Sequence, residues 1–308
     1  MATLRGIRRR IRSVKNISQV TRAMQMVAAS KMRRAQEQVL ATRDYAEKAW
    51  ELLVNLASQP VEDEPYPLIT ARPVHAIGLI LITGDKGLSG GYNHNVIRQA
   101  LSFIAETGHE MPVRLITVGR KGRDVMARLG MDIVADFSER LPSQPRVIDV
   151  SPIARVAMED FASGIFDEVY MAYTLFHNTM SYQPVVVRLL PVYTADELQV
   201  VLRSGILPPN LRNIKPITGG EYLYEPSANT LLDTVVPRFV ELLIYQAVLE
   251  SFASEHSARM VAMRNATDNA REMIADLTVT YNRLRQEAIT KEILDIVGGA
   301  EALAQLTG

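Results

Sequence analysis

Cysteine is missing from this 308-residue chain, which excludes disulfides, thiolate metal sites and a thiol redox switch. Long apolar runs are missing too. The longest, around Ile77 to Ile82, suits a buried strand and falls far short of the roughly 20 residues of a membrane helix. The five histidines (His75, His94, His109, His177 and His256) have no spacing that resembles a metal site. Glycine and proline are absent from Ile7 to Gln59 and again from Arg238 to Val297. Asp and Glu are absent from residues 1–34, which hold ten Lys or Arg and no aromatic residue. A secretory leader is not expected, because Arg8, Arg9 and Arg10 interrupt any apolar segment. An amphipathic organelle-targeting segment is also not expected, because the periodicity runs far beyond a normal cleavage point.

The two stretches without glycine or proline dominate what is present. Apolar residues recur at Leu4, Ile7, Ile11 and Val14, then at Ile17, Val20, Met24 and Val27. Steps of three and four mark one side of a helix. Thr3 suits its N-cap, and Gly6 in the first turn is mildly unfavourable. Such a helix reaches roughly 80 Å at about 1.5 Å per residue, so it must pack along a partner. The second stretch carries the series His256, Met260, Met263, Thr267, Ala270, Ile274, Leu277, Tyr281, Leu284, Ala288. Its alternation of four and three is the seam of a coiled coil. The intervening body, if compact, has a radius of gyration of about 16 Å. One helix enters that body and the other leaves it, which predicts an antiparallel, arm-like pair. Small residues and methionines along the pair, among them Ala28, Ala29, Ala35, Met24, Met260 and Met263, suit close backbone packing with Met as filler.

The formal net charge of zero conceals an asymmetry. The first 34 residues carry Arg5, Arg8, Arg9, Arg10, Arg12, Lys15, Arg22, Lys31, Arg33 and Arg34, so the rest of the chain is acidic by ten. Cations along a helix predict contact with an acidic surface: a protein, a nucleic acid or a lipid face. Without interleaved aromatics, base contacts have no means of stacking.

Between the helices the texture changes. Residues 60–73, with Pro60, Pro65, Pro67 and Pro73, read as a linker. Strands are expected at 75–83, 113–118, 131–137, 168–176 and 184–192, and helices at 96–106, 124–129 and 152–166, with Pro152 in the first turn of the last. Strands alternating with helices predict a mostly parallel, Rossmann-like α/β sheet that ends in an antiparallel pair. Residues 201–226 are expected to be irregular, and Pro237 to start or kink the second long helix. The domain reading is therefore a shaft of 1–59 with 227–308, a body over 74–200, and linker or foot segments at 60–73 and 201–226.

No reaction centre assembles. Gly84-Asp-Lys-Gly-Leu-Ser-Gly-Gly91 follows a strand and precedes a helix, where amides can hold phosphate. It matches neither the P-loop nor the dinucleotide spacing, and reads as a tight turn with a contact surface. Ser89 lacks a nucleophile elbow, Asp85 with Lys86 reads as a solvated pair, and Glu159 and Asp160 fall on a surface helix. No cofactor is expected.

The segments VTRAMQMVAASKMRRAQ, TGDKGLSGGYN, HNTMSYQP, EYLYEP and ARMVAMRNATDNA, with the tail from Ile289 to Ala300, together resemble the gamma subunit of F-type ATP synthases over nearly the whole chain. The resemblance implies the rotating central stalk of a proton-translocating enzyme, with no catalytic site of its own. It implies alpha, beta and epsilon subunits and a c-ring as partners, one copy per complex, and attachment to the membrane through partners only. Lack of a presequence favours the cytoplasmic face of a bacterial plasma membrane. By the same resemblance Arg8, Arg9, Lys15, Met24, Lys31, Arg33, Arg34, Met260 and Met263 face the alpha and beta sleeve. Gly87, Gly90, Asn93, Tyr222, Tyr224 and Glu225 lie toward the foot on the c-ring or epsilon side. A nucleic-acid-binding coiled coil and a phosphate-handling enzyme are the rival classes. The first demands steeply salt-dependent DNA binding; the second leaves both long helices without a role.

Overall fold

A computed structural model describes residues 3–57, 67–107, 111–192 and 228–307. Two helices bracket everything else: α1, Leu4–Ala57, and α5, Ala228–Thr307. Packing divides the chain into two compact units, Met1–Val27 with Met260–Gly308, and Ala28–Arg259. The expected boundaries near 59 and 227 follow secondary structure, whereas packing assigns the inner stretch of each long helix to the sheet unit.

That unit holds five strands: β1 Ile77–Ile82, β2 Val113–Val118, β3 Ile133–Asp136, β4 Glu168–Asn178 and β5 Ser181–Leu190. Their order is β3-β2-β1-β4-β5. All neighbours are parallel except β4 and β5, as the alternation of strands and helices predicts. Every residue of β1 is buried, because helices cover both faces. Ile77, Leu79 and Leu81 pack on one side with Val96 and Ala100 of α2 (Tyr92–Thr107) and Met126 of α3 (Arg120–Arg128). Ile80 and Ile82 point the other way, to Ile153 and Phe161 of α4 (Val147–Ala162) and to Phe239, Ile244 and Val248 of α5. The period of two along β1 thus feeds two separate cores.

Several local expectations are corrected. The helix expected at 124–129 begins earlier, at Arg120: Gly119 before it takes φ 104°, and the Gly122 N–H donates to Thr83 Oγ1 at 2.9 Å. Helix α4 begins at Val147, so Pro152 lies inside it. Asp149 secures that earlier start by accepting from the Arg146 N–H at 2.8 Å. The helix ends at Ala162, before Gly164 at φ 81°. The expected seven-residue connection after the fourth strand is a tight hairpin, in which Asn178 Oδ1 accepts from the N–H groups of Met180 and Ser181, both at 2.9 Å. Helix α5 starts at Ala228, so of the two roles expected for Pro237, starting or kinking the helix, the start is excluded.

In the helix-pair unit both strands of the seam follow heptad steps. Burial falls on Leu4, Ile7, Ile11, Val14, Ser18 and Thr21 of α1, and on Met263, Thr267, Ala270, Ile274, Leu277, Tyr281 and Leu284 of α5. The hydroxyls of Thr21 and Thr267 meet at 2.7 Å. Leu4 lies as far before Thr21 as Leu284 lies beyond Thr267, and burial along α5 stops at Leu284. An antiparallel pair requires that coincidence. The expected α1 stripe is corrected beyond Val14. Ile17, Val20 and Val27 are 52%, 58% and 56% exposed, because steps of three drift off the 3.5-residue seam and leave it to Ser18 and Thr21. Thr3 does cap α1, its Oγ1 accepting from the Gly6 N–H at 3.2 Å.

At Gly78 in β1, a Cβ would sit 2.7 Å from the fully buried ring of Phe166. Gly78→Ala is expected to destabilise the sheet unit by about 1–3 kcal/mol through overpacking, measured as a lower urea midpoint with an unchanged slope.

Candidate functional site

Helix α1 carries the unusual charge. Arg5, Arg8, Arg9, Arg10, Arg12, Lys15, Arg22, Lys31, Arg33 and Arg34 are all exposed. Among the described residues only Arg33 of these ten has a salt bridge, to Glu37 at 3.1 Å, an exposed pair of little energetic weight. Ile17, Val20, Met26 and Val27 lie exposed among the cations. Cations interleaved with aliphatic side chains fit an acidic protein surface with apolar insets better than a phosphate backbone, which offers nothing to the aliphatics.

The loop after β1 is built as a rigid contact element. Asn93 Oδ1 accepts from the Gly84 N–H at 2.8 Å, and Asn93 Nδ2 donates to Lys86 O and Ser89 Oγ at 3.4 and 3.3 Å. Asp85, expected to pair with Lys86, forms no salt bridge with it among the described residues. Its Oδ1 accepts from the N–H groups of Arg120 and Glu139 at 2.9 and 3.1 Å. Ser89 is buried, whereas Leu88 stands 64% exposed at φ 63°. An apolar side chain held outward on a left-handed backbone is a contact feature.

A cavity of about 200 Å³ lies beside this loop, lined by Lys31 and Thr83 to Lys86 and by Phe252, Glu255, His256 and Arg259 of α5. Arg259 Nη2 donates to Glu255 Oε1 at 2.5 Å and to Gly87 O at 3.3 Å. Burial raises the Glu255 carboxyl, and Arg259 opposes that rise. Burial, with Arg259 and Lys31 nearby, lowers His256 to about 4, so its ring is neutral near pH 7. Glu255 reaches so close to Gly84 that a Cβ there would fall 2.8 Å from the carboxyl. Both carboxylates are occupied by internal partners, and the loop amide of Gly84 is taken, so this is a packed joint. Among the described residues no group of three or more His, Cys, Asp or Glu could hold a metal ion.

The ATP synthase family pattern matches residues 3–303. The ATP synthase gamma chain of Dehalococcoides mccartyi is 49% identical over 305 residues, covering 99% of this chain and 100% of that one. The gamma chain of Roseiflexus castenholzii is 46% identical over 308 residues, again covering 99% and 100%. This chain belongs to the ATP synthase gamma chain family. Solved structures agree on the fold. The rotor of Euglena gracilis mitochondrial ATP synthase superposes with TM-score 0.61 at 19% identity, covering 93% of this chain and 98% of that one. The central stalk and c-ring assembly of the Tetrahymena thermophila enzyme gives 0.56 at 24% identity, covering 80% and 99%. The sequence motifs point to the same family.

Within the gamma-chain reading, the residues expected at partner contacts divide. Arg8, Arg9, Lys15, Lys31, Arg33 and Arg34 are exposed, and Met24 and Met260 are half-buried. Met263 is corrected: it is 5% exposed, because it holds a seam position of the helix pair and cannot face outward. Gly87 is bonded to Arg259, and Lys86 shares a cavity with Lys31, so the loop holding Gly87, Gly90 and Asn93 neighbours part of the basic set. Tyr222, Tyr224 and Glu225 lie outside the described residues. Sequence reasoning missed Glu255 and Arg259. Their signal was an acid and a base four residues apart on a helix with no glycine or proline, on the side that turns inward. Arg259→Ala strands a buried carboxylate and is expected to cost about 3–5 kcal/mol. Adding Glu255→Gln is expected to recover much of that loss, read as the thermal midpoint of the double variant against the single.

Proposed function

We propose that the chain turns within a ring of alpha and beta subunits and couples proton flow to ATP synthesis by asymmetric contact, carrying out no bond chemistry itself. The observation that carries this reading is the outer face of α1, where exposed cations alternate with exposed aliphatics and, Arg33 aside, have no salt bridge among the described residues. That face needs an acidic protein surface. A shaft touching three equivalent beta subunits differently stabilises a different conformation in each, a population shift driven by differential contact. Each proton crossing 100 mV supplies about 2.3 kcal/mol, so several must be pooled for each ATP, and a long stiff helix pair is suited to pooling them.

Arg8, Arg9, Lys15, Met24, Lys31, Arg33 and Arg34 are assigned to acidic loops of beta, with Met260 at the sleeve. Two observations support moving Gly87, Gly90 and Asn93 from the foot to the same set: the bond from Arg259 to Gly87 and the cavity that Lys31 shares with the loop. Tyr222, Tyr224 and Glu225 remain assigned to the foot, against epsilon and the c-ring. No helix among the described residues is long and apolar enough to cross a membrane. The proposed place is the cytoplasmic face of a bacterial plasma membrane, held there by the partners.

Reversing charge at Lys31, Arg33 and Arg34 together (each to Glu) is expected to weaken coupling while leaving the thermal midpoint of the chain within a few degrees of wild type. The proton-to-ATP ratio of vesicles carrying the purified complex checks this. A wild-type ratio removes the assignment, and failure of alpha and beta to copurify with the unmodified chain removes the stalk reading itself.

A further inference from the structure

Strand β1 ends at Ile82, while β4 continues to Asn178. The register pairs Leu81 with Ala172, so the last residues of β4 extend past the end of their parallel neighbour. Backbone groups left over at a buried strand edge must find partners. Here α5 supplies them. The Thr174 N–H donates to Ser251 Oγ at 3.4 Å, and Ser254 Oγ donates to the Thr174 C=O at 3.4 Å. Farther along, Ser257 Oγ donates to Thr179 O at 2.5 Å. Both backbone polar groups of Thr174 therefore turn away from β5. This explains why its partner there can be Pro184, which has no N–H to offer. Three serines at helical spacing do the work that another strand would do.

Glu250 belongs to the same side of the helix. Its Oε1 accepts from Gln246 Nε2 at 3.2 Å. Its Oε2 is buried without a hydrogen-bond partner, and the backbone of Phe176 on β4 is close enough to influence its titration. A carboxyl in such a place, with no cation contributing, is held as the neutral acid.

We propose that Glu250, Ser251, Ser254 and Ser257 form the joint that fixes the rotation and register of α5 on the sheet, and are positioning residues for torque transmission. This rests on the gamma-chain stalk reading. Burial raises the Glu250 carboxyl from its ordinary 4.5 to about 8, against the opposing hydrogen bonds of Gln246 and Phe176. The folded state thus holds the proton more tightly than the unfolded chain. The stability it contributes is fully present below 4.5 and is lost as pH rises through 8. The other titratable groups along the seam are Tyr92 on α2, Tyr173 and His177 on β4, and Glu255, His256 and Arg259 on α5. Burial raises Tyr92 as well, with Glu255 adding to the rise. None of these groups is among the causes of the Glu250 shift.

The test is amide hydrogen exchange in the purified complex over a pH series, corrected for intrinsic exchange, alongside the proton-to-ATP ratio of the same samples. Protection of the Thr174 amide is expected to fall by up to about tenfold per unit as pH rises from 4.5 to 8 in the wild type, and to level off above 8. In Glu250→Gln, which keeps a neutral hydrogen-bonding group, it is expected to stay flat. In Ser251→Ala/Ser254→Ala it is expected to be low at every pH, with a reduced ratio. Identical pH profiles for wild type and Glu250→Gln overturn the role of Glu250, and unchanged protection in the double variant overturns the joint. Lost protection with a wild-type ratio overturns the torque role while leaving the family reading intact. Loss of alpha and beta from the wild-type preparation would instead count against the stalk reading on which the proposal rests.

Discussion

The structure depends on one helix meeting two different packing requirements along its length. From Phe239 to Ala258, α5 is buried almost all round, with apolar residues toward the sheet and polar ones toward the end of β4. From Met263 onward only every third or fourth residue is covered. A helix buried on all sides belongs to a core, whereas a single narrow stripe belongs to a two-helix seam.

The charge on α1 sets a second constraint. Ten cations without an acid in the first 34 residues repel one another along a helix in water, by about 1 kcal/mol for a pair 4 Å apart and less at longer range or in salt. The helix tolerates this because its other side is buried at heptad spacing. The cost becomes a gain once an acidic surface approaches and displaces water from between opposite charges. The exposed Ile17, Val20 and Val27 have the same logic. They are unfavourable on an isolated chain and favourable against a partner. Departures from the seam on α1 thus leave apolar side chains among the cations, as the proposed contact with an acidic protein surface requires.

Much of this was legible from residue order. The absence of glycine and proline marked both long helices, the 4–3 alternation from Met263 to Leu284 located the seam on α5, and the all-apolar run of β1 located the middle of the sheet. The α1 stripe is less legible because Ile17 and Val20 look like better core residues than Ser18 and Thr21, although the period and not hydrophobicity decides which are covered. The heptad position of Met263 faces inward, against the outward role that the family resemblance suggests. The helix expected at 124–129 is present, but its first turn is not legible, because Gly119, Arg120, Lys121 and Gly122 have the composition of a loop. Nothing local reveals that the Gly122 N–H is aimed at Thr83, just past the end of β1. Pro152 was placed at a helix start because proline favours that site, while the actual start was set by Asp149 reaching back to Arg146. At the candidate contact site the cations were visible, but the Glu255–Arg259 pair depended on tertiary burial that spacing alone does not report.

Tertiary burial also explains why the contact between α5 and the end of β4 is made of serines and a carboxyl rather than leucines. Apolar packing is strong but non-directional, and a helix face of aliphatics can turn by a few degrees against a sheet with little change in buried area. A hydrogen bond has a preferred line and weakens steeply away from it. Two serines clasping both backbone groups of one residue, Thr174, fix translation and rotation together, because neither bond survives a slide that preserves the other. The aliphatic residues from Phe239 to Leu249 can then supply most of the adhesion, leaving the polar run to set the angle. Under the proposed torque role the angle is the property that matters, and a few directional bonds in a buried seam hold it better than a larger area of oil.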